Sequence, residues 1–536
     1  MSLSNQYSAT IHPSLEWRLD PVAGLGGFAS SEIPAHSTLL SLPYSSILSE
    51  PYACATAHGL AAAALLGASH PLEVTGRTLL YLVMVAERAA VGGQHRFSAY
   101  LASLPATYQD PCWWPPSQAA ALLRGTNLAH AVAHRLAWLR RIYSACFPAL
   151  SAANPDLFPP AVFTFPAFLW AHSAFSSRGF PHILSTPPGT AEEEAQQQQQ
   201  QQQQQGGQGW QEGGQDVNPL SGSAGTGPVG CMLPVLDILN HAPGTPMSWL
   251  RGERGVAFVT GPAPLPQGAQ AMNNYGPKSN EELLLAFGFV LPSNAQEVHV
   301  LRLLLGGELA QLAAAASLPA RHVCSTGAGA LPPSLLAVAR LGALSQQQRS
   351  ALSALSAPAV AAALGGRLDE ATEERALHAL HALLARKLAD LQAAQAQAGS
   401  ALSVAGEEEE EGMEDGSSSS SSSKGQGCAA AGESAACLPP EGSVGAAAAA
   451  AAQLVQLAPW PPALLEEAAQ ESQAVLAHRQ WMAAVYVRGQ LAVLRGCVAA
   501  VEGMLKELWW GQEGLAAPAP ALAAPPPPSP PTLPLF

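Results

Sequence analysis

Three short stretches hold the residues whose types and spacing could do chemistry. In LDILNHAPG, residues 236–244, Asp237 and His241 stand four apart with Asn240 between them. On a helix that spacing would set a carboxylate and an imidazole on one face. Two such ligands and an amide fall short of the set that holds a metal, and Pro243 with Gly244 turns the chain soon after His241. In NNYGPKSNEELLLAFGF, residues 273–289, the phenol of Tyr275 precedes a Gly-Pro turn. Taken alone, Tyr275 reads as a packed aromatic before it reads as a catalyst. In AGLGGFASSEIP, residues 23–34, Gly24, Gly26 and Gly27 would let backbone approach a ligand closely. A strand rather than a helix is expected after them, and no phosphate-loop pattern exists, so nucleotide fingerprints of those kinds are excluded. By itself this cluster reads as a hairpin turn.

The elements that must position these groups are partly legible. Ser279 and Glu282 fit a capping box, Leu283, Leu284 and Phe287 supply a buried face, and Gly288 can end the helix in the left-handed conformation. Tyr275 is therefore followed by a short helix fixed at both ends. Short apolar runs such as TLLSLP within 14–50, bounded by Gly, Pro and Ser, predict strands, and strand-like patterns return at GCMLPVLDILNHAPG and GVAFVTG. GRTLLYLVMVAERAAVG has helical spacing, FTFPAFLWAHSAFSSRGF is expected to be helical after Pro166, and helices dominate from 297 to 515.

At 536 residues the chain has room for two or three domains; 48% of it is hydrophobic, but much of that is small alanine. Charged residues make up 12% and the net charge is −14, which argues against a sequence-independent grip on nucleic acid, since phosphate binding rests on clustered Lys and Arg. The eight cysteines form no CxxC pair and imply neither a zinc site nor a disulfide framework. No membrane span is expected. The N-terminus lacks a secretory pattern; it is Ser-rich and its first arginine is Arg18, so a cytoplasmic location is preferred and a plastid transit peptide stays open. Glutamines 196–205, the acidic run 407–411 with serines 417–423, and the prolines 525–528 mark segments read as disordered.

Taken together and in order, GLGGFA, LWAHSAFSSRGF, LDILNH and NYGPKSNEELLLAFGF resemble the SET-domain protein methyltransferases. The resemblance is to the branch of the Rubisco large-subunit lysine methyltransferase and the actin-histidine methyltransferase, and WMAAVYVRGQLAVL, residues 481–494, looks like the last long helix of that branch's substrate-binding domain. The fold implied is α+β: a β-rich SET domain over 14–292 with a helical insert at about 78–228, itself holding a disordered Gln-rich loop at about 186–227. An all-α substrate-binding domain over 297–515, with a disordered insert at about 400–450, and a disordered tail over 516–536 would follow.

The resemblance further implies S-adenosylmethionine as cofactor, no metal, and a protein substrate methylated on lysine, with histidine, or a non-catalytic SET-like binding module, as alternatives; the oligomeric state stays open, with a monomer preferred. By similarity, the backbone of Gly24, Leu25 and Gly26 lies against the cofactor, and Arg178 matches the arginine that helps hold it. Asn240 and His241 match the Asn-His pair that binds the cofactor's amino group and adenine, with His241 structural and not a base. Asp237 matches the aspartate before that pair and is assigned to orienting the turn. Tyr275 matches the catalytic tyrosine. Two departures stand out: Phe287 where the branch usually has Tyr, and Asn273 with Asn274 where an apolar strand residue is usual.

Overall fold

The structure, a computed structural model, describes residues 3–20, 24–66, 76–90, 95–189, 229–303, 305–326, 331–411 and 473–513, with only the backbone of 398–411 and 509–513. Its contacts divide the chain into two units, Met1–Trp114 with Ala131–Gln296, and Pro115–His130 with Glu297–Phe536.

In the first unit the apolar run Thr38–Pro43 buries Leu39, Leu40 and Leu42 and exposes Thr38, with an irregularity in its pairing between Thr38 and Leu40. This strand is central in a four-stranded antiparallel sheet with Thr10–Ile11 on one side and Gly255–Val259, then Ser248–Arg251, on the other. A second sheet joins Leu15–Asp20, Gly24–Ala29 and Gln270–Ala271, with Gly27 opposite Ala271 and Phe28 opposite Gln270. The helix Gly76–Ala89 is buried on all sides from Thr78 through Glu87. Against it packs Phe165–Arg178, whose N-cap Thr164 accepts a hydrogen bond from the Ala167 N–H. Pro166 lies in that helix's first turn, where its missing N–H costs nothing, so the helix begins ahead of the proline rather than after it. Where a strand was expected, Leu236–Ile238 forms a single 3₁₀ turn, and Asp237 and His241 share no helix face.

The second unit is mostly helical. Glu370–Glu411 packs along Gln473–Glu513, and Leu312, Leu341, Leu344, Val360 and Leu364 form a separate apolar cluster. Arg340, on Pro333–Ala343, makes a buried two-pronged ion pair with Glu373: Nε donates to Oε2 at 2.9 Å and Nη2 to Oε1 at 2.7 Å. Arg479 donates to Gln118 at 2.9 Å and Asn127 to the Val300 carbonyl at 2.9 Å, which ties 115–130 to this unit.

Two expectations are corrected here. The C-terminal unit is not all-α, because Val298–Arg302 and Arg321–Ser325 pair as an antiparallel two-stranded sheet. The acidic run 407–411 continues the helix from Glu370, since adding good helix formers to an existing helix costs little. The rest of the segments read as disordered, at 190–227, 412–450 and 516–536, lies outside the described residues. The helix Gln473–Leu508 is long and apolar enough to cross a membrane by length and composition; half of its most apolar window is buried.

Candidate active site

The site is assembled by one crossing of backbone. The Asn273 N–H donates to the Asn240 carbonyl at 2.7 Å and the Ala242 N–H donates to the Asn273 carbonyl at 3.0 Å, a parallel bridge with His241 at its centre. Segments more than thirty residues apart in sequence are thereby locked side by side. Just upstream, Val235 has φ +76° and ψ −41°, a conformation costing about 1–3 kcal/mol in a β-branched residue, and it redirects the chain into the 3₁₀ turn that carries Asp237.

Tyr275 sits in a stack of rings. Its ring lies 4.9 Å from His241 at 18° and 5.0 Å from Phe287 at 24°. The Tyr275 N–H donates to His241 Nδ1 at 3.1 Å, and the Tyr275 hydroxyl donates to the Leu239 carbonyl at 2.9 Å. Burial pushes the phenol up to about 12, with Arg178 pulling it down and Asp237 raising it. His241 Nδ1 is thus an acceptor, and burial lowers the pKa of the ring, which is consistent with the structural role expected of it.

Behind the tyrosine, the capping box is present in full, with the Ser279 N–H donating to Glu282 Oε2 at 3.0 Å and the Glu282 N–H to Ser279 Oγ at 3.4 Å. Gly288 closes the helix Asn280–Phe287 at φ +75°, and a side chain there would meet the backbone of Gln109 and Asp110. Glycine is needed on both counts.

At the glycine strand, Asn240 Nδ2 donates to the Leu25 carbonyl at 3.3 Å. A side chain at Gly26 would collide with Gln270 Nε2 and come within 3.0 Å of Asn240 Nδ2. Two side-chain amides therefore occupy the room that Gly26 leaves. Gly24 has φ +78° with open space where a side chain would be, and Leu25 is half exposed beside it.

Asp237 ties its turn to two other elements. Its Oδ2 accepts from the Tyr100 hydroxyl at 2.7 Å and from Arg178 Nη1 at 3.2 Å, and Arg178 Nη1 also donates to the Asp237 carbonyl at 3.1 Å. The carboxylate is a clamp between two helices, Ser98–Ser103 and Phe165–Arg178. Burial alone would lower the Arg178 pKa, but Asp237 and the neighbouring phenols outweigh it and raise it, so the guanidinium is always charged.

The structure thus brings Leu25, Gly26, Asn240, His241 and Tyr275 into one chain of contacts, with Arg178 and Asp237 coupled to Tyr275 through charge. Tyr100, Tyr108 and Gln270 also belong to it and were not foreseen. Tyr100 and Asp237 are 137 residues apart, and no local spacing points from one to the other.

No protein-family model matches the chain. It is 27% identical over 221 residues to a ribosomal lysine N-methyltransferase of Schizosaccharomyces pombe, covering 41% of this chain and 32% of that relative. To the human N-lysine methyltransferase SETD6 it is 25% identical over 279 residues, covering 51% of this chain and 50% of the relative. The chain thus spans half or less of the length of these curated relatives. Rubisco LSMT bound to AdoMet superposes with a TM-score of 0.61 at 15% identity, covering 96% of both chains. The SET domain of LSMT bound to lysine and AdoHcy also gives 0.61, covering 94% of this chain and 90% of that one. These likenesses define the class. The chain has the SET fold in the arrangement of Rubisco LSMT and resembles protein-lysine N-methyltransferases in sequence, so the resemblance read from its four motifs is borne out.

Proposed function

We propose that this chain is an S-adenosylmethionine-dependent protein-lysine N-methyltransferase in which Tyr275 is the catalytic residue. The observation that carries this reading is the parallel bridge at His241 and Asn273, which sets the Tyr275 hydroxyl on the Leu239 carbonyl, next to Asn240 and the glycine strand.

The residues present fit the cofactor. The Asn240 amide lies against the Leu25 backbone, Arg178 carries a permanent charge suited to a carboxylate, and Asp237 Oδ1 is buried without a hydrogen-bond partner, an acceptor that a ligand's donor would satisfy. Gly24, Leu25 and Gly26 would line it with backbone, and His241 would hold the crossing beside it. The cofactor supplies an electrophilic methyl on a positively charged sulfur.

The chain's part is to deliver a neutral nitrogen in line with that methyl. Deprotonating a free lysine at pH 7 costs about 4.6 kcal/mol. The rings of Tyr275, Phe287 and Phe289 pack together beside the crossing, and an apolar setting of that kind would lower the cost by desolvating the ammonium. The Tyr275 hydroxyl stays protonated at neutral pH and steers the nitrogen without taking its proton. Orientation supplies up to about 7–11 kcal/mol for ideal geometry.

The test is cofactor binding by calorimetry, followed by transfer of labelled methyl to proteins of a cell extract and mass spectrometry of the product. Label on lysine is expected. Label on histidine would transfer the reading to the histidine acceptor, and tight cofactor binding with no label on any protein would leave a SET-like binding module.

A further inference from the structure

The helix Ser98–Ser103 is held from three directions, although none of its residues carries a site motif. The Tyr100 N–H donates to the Tyr7 hydroxyl at 3.3 Å, and that hydroxyl donates to the Arg96 carbonyl at 3.1 Å. Immediately before the helix, the Phe97 N–H donates to Glu87 Oε2 at 2.7 Å, and Tyr52 donates to the other oxygen of the same buried carboxylate at 2.5 Å. A buried glutamate and two phenols thus hold the backbone from which the Tyr100 side chain projects.

That side chain is buried and donates to Asp237 Oδ2 at 2.7 Å, the oxygen that also receives Arg178. The other oxygen, Oδ1, and the nearby Tyr108 hydroxyl are buried with no hydrogen-bond partner. A carboxylate with one oxygen pinned by two donors and the other left bare is asymmetric in a way packing alone does not require. We propose that Tyr100 is a positioning residue for the cofactor: by pinning Oδ2 it fixes Asp237 so that the Arg178 guanidinium and the bare Oδ1 face the amino-acid end of the ligand. This rests on the cofactor reading above.

Two ligands separate this role from packing. S-adenosylhomocysteine carries the amino-acid end, and 5′-methylthioadenosine lacks it while keeping the adenosine. In calorimetry on the full chain, Tyr100→Phe weakens S-adenosylhomocysteine by about tenfold and leaves 5′-methylthioadenosine within about twofold. Adding Tyr100→Phe to Asp237→Asn brings little further loss, because the tyrosine acts through the carboxylate. Equal weakening of both ligands, unchanged affinity for S-adenosylhomocysteine, or losses that simply add would overturn the inference and leave the cofactor reading standing. Parent protein that binds neither ligand would overturn both.

Discussion

Tyr275 offers its surroundings a ring and a hydroxyl, and Tyr275→Phe removes only the second. If the hydroxyl orients methyl transfer, turnover falls by about 10²–10³. Cofactor affinity should change far less if, as proposed, Arg178, Asn240 and the glycine strand carry it. A tyrosine that merely packs would instead lose about 1 kcal/mol of stability with the Leu239 hydrogen bond and keep its rate. Turnover, affinity and melting temperature measured on the same variant distinguish the two patterns. Since the phenol is pushed up to about 12, its ionisation should leave no limb in the pH–rate profile below about pH 10. A limb near neutrality that disappears in Tyr275→Phe would contradict the burial argument. Arg178 is expected to show a double effect. Arg178→Ala should weaken cofactor binding by about 1.5–3 kcal/mol and also lower the melting temperature, because it leaves the buried Asp237 carboxylate without its counter-charge. The double variant with Asp237→Asn should recover stability but not affinity.

The helix Asn280–Phe287 shows how an element positions a residue it does not contain. Its two ends are set by different local chemistry, a reciprocal cap at Ser279 and a left-handed glycine at 288, and its Phe287 ring then backs the Tyr275 ring. Ser279→Ala is expected to cost about 0.5–2 kcal/mol in urea unfolding. Gly288→Ala should cost more than the roughly 1–2 kcal/mol of left-handed strain alone, because its methyl would also press on the backbone of Gln109 and Asp110. A near-neutral result at Gly288 would mean that the loop at 109–110 yields easily. In the second unit the corresponding fixture is the ion pair between Arg340 and Glu373. Glu373→Ala strands a buried guanidinium and should destabilise by about 3–5 kcal/mol in the same assay.

Across the whole molecule, stability should form a plateau with two edges. Burial lowers the pKa values of His58, His172, His241 and His299 below 6.5, their ordinary value. Their neutral forms are favoured in the fold, so their contribution is intact above about pH 6.5 and is lost as pH falls toward the depressed folded values. Burial raises Tyr81 and Tyr275 from 10.0 to about 12, so their contribution is intact below 10 and is lost as pH rises through 12. Melting temperatures across a pH series should therefore fall from about 6.5 downward and from about 10 upward. A melting temperature that held steady from pH 7 to pH 5 would show that the buried imidazoles find compensation on protonation.

Much of this protein is written in short runs of its sequence. The cap at Ser279 and Glu282 and the stop at Gly288 follow from sterics and hydrogen bonds reaching only a few residues, and the apolar runs in Gly76–Ala89 and Thr38–Pro43 mark a buried helix and strand, so these can be read without the fold. The ordered motifs carried the family resemblance for the same reason, each being a local solution to binding or turning. Local pattern misled where a neighbouring element decided the outcome. A strand-like run became a 3₁₀ turn at Leu236–Ile238, and an acidic tract continued a helix already in place. The motifs named most of the site's residues, but the way they are assembled lay beyond reach of any such pattern. The crossing at His241 and Asn273, the two amides filling the space beside Gly26, and the hold of Tyr100 on Asp237 join residues separated by more than thirty positions and by as many as 244. Such contacts exist because burying the sheets and the helices together decides which polar groups meet, and that is fixed by the packing of the whole unit, not by the spacing of its residues.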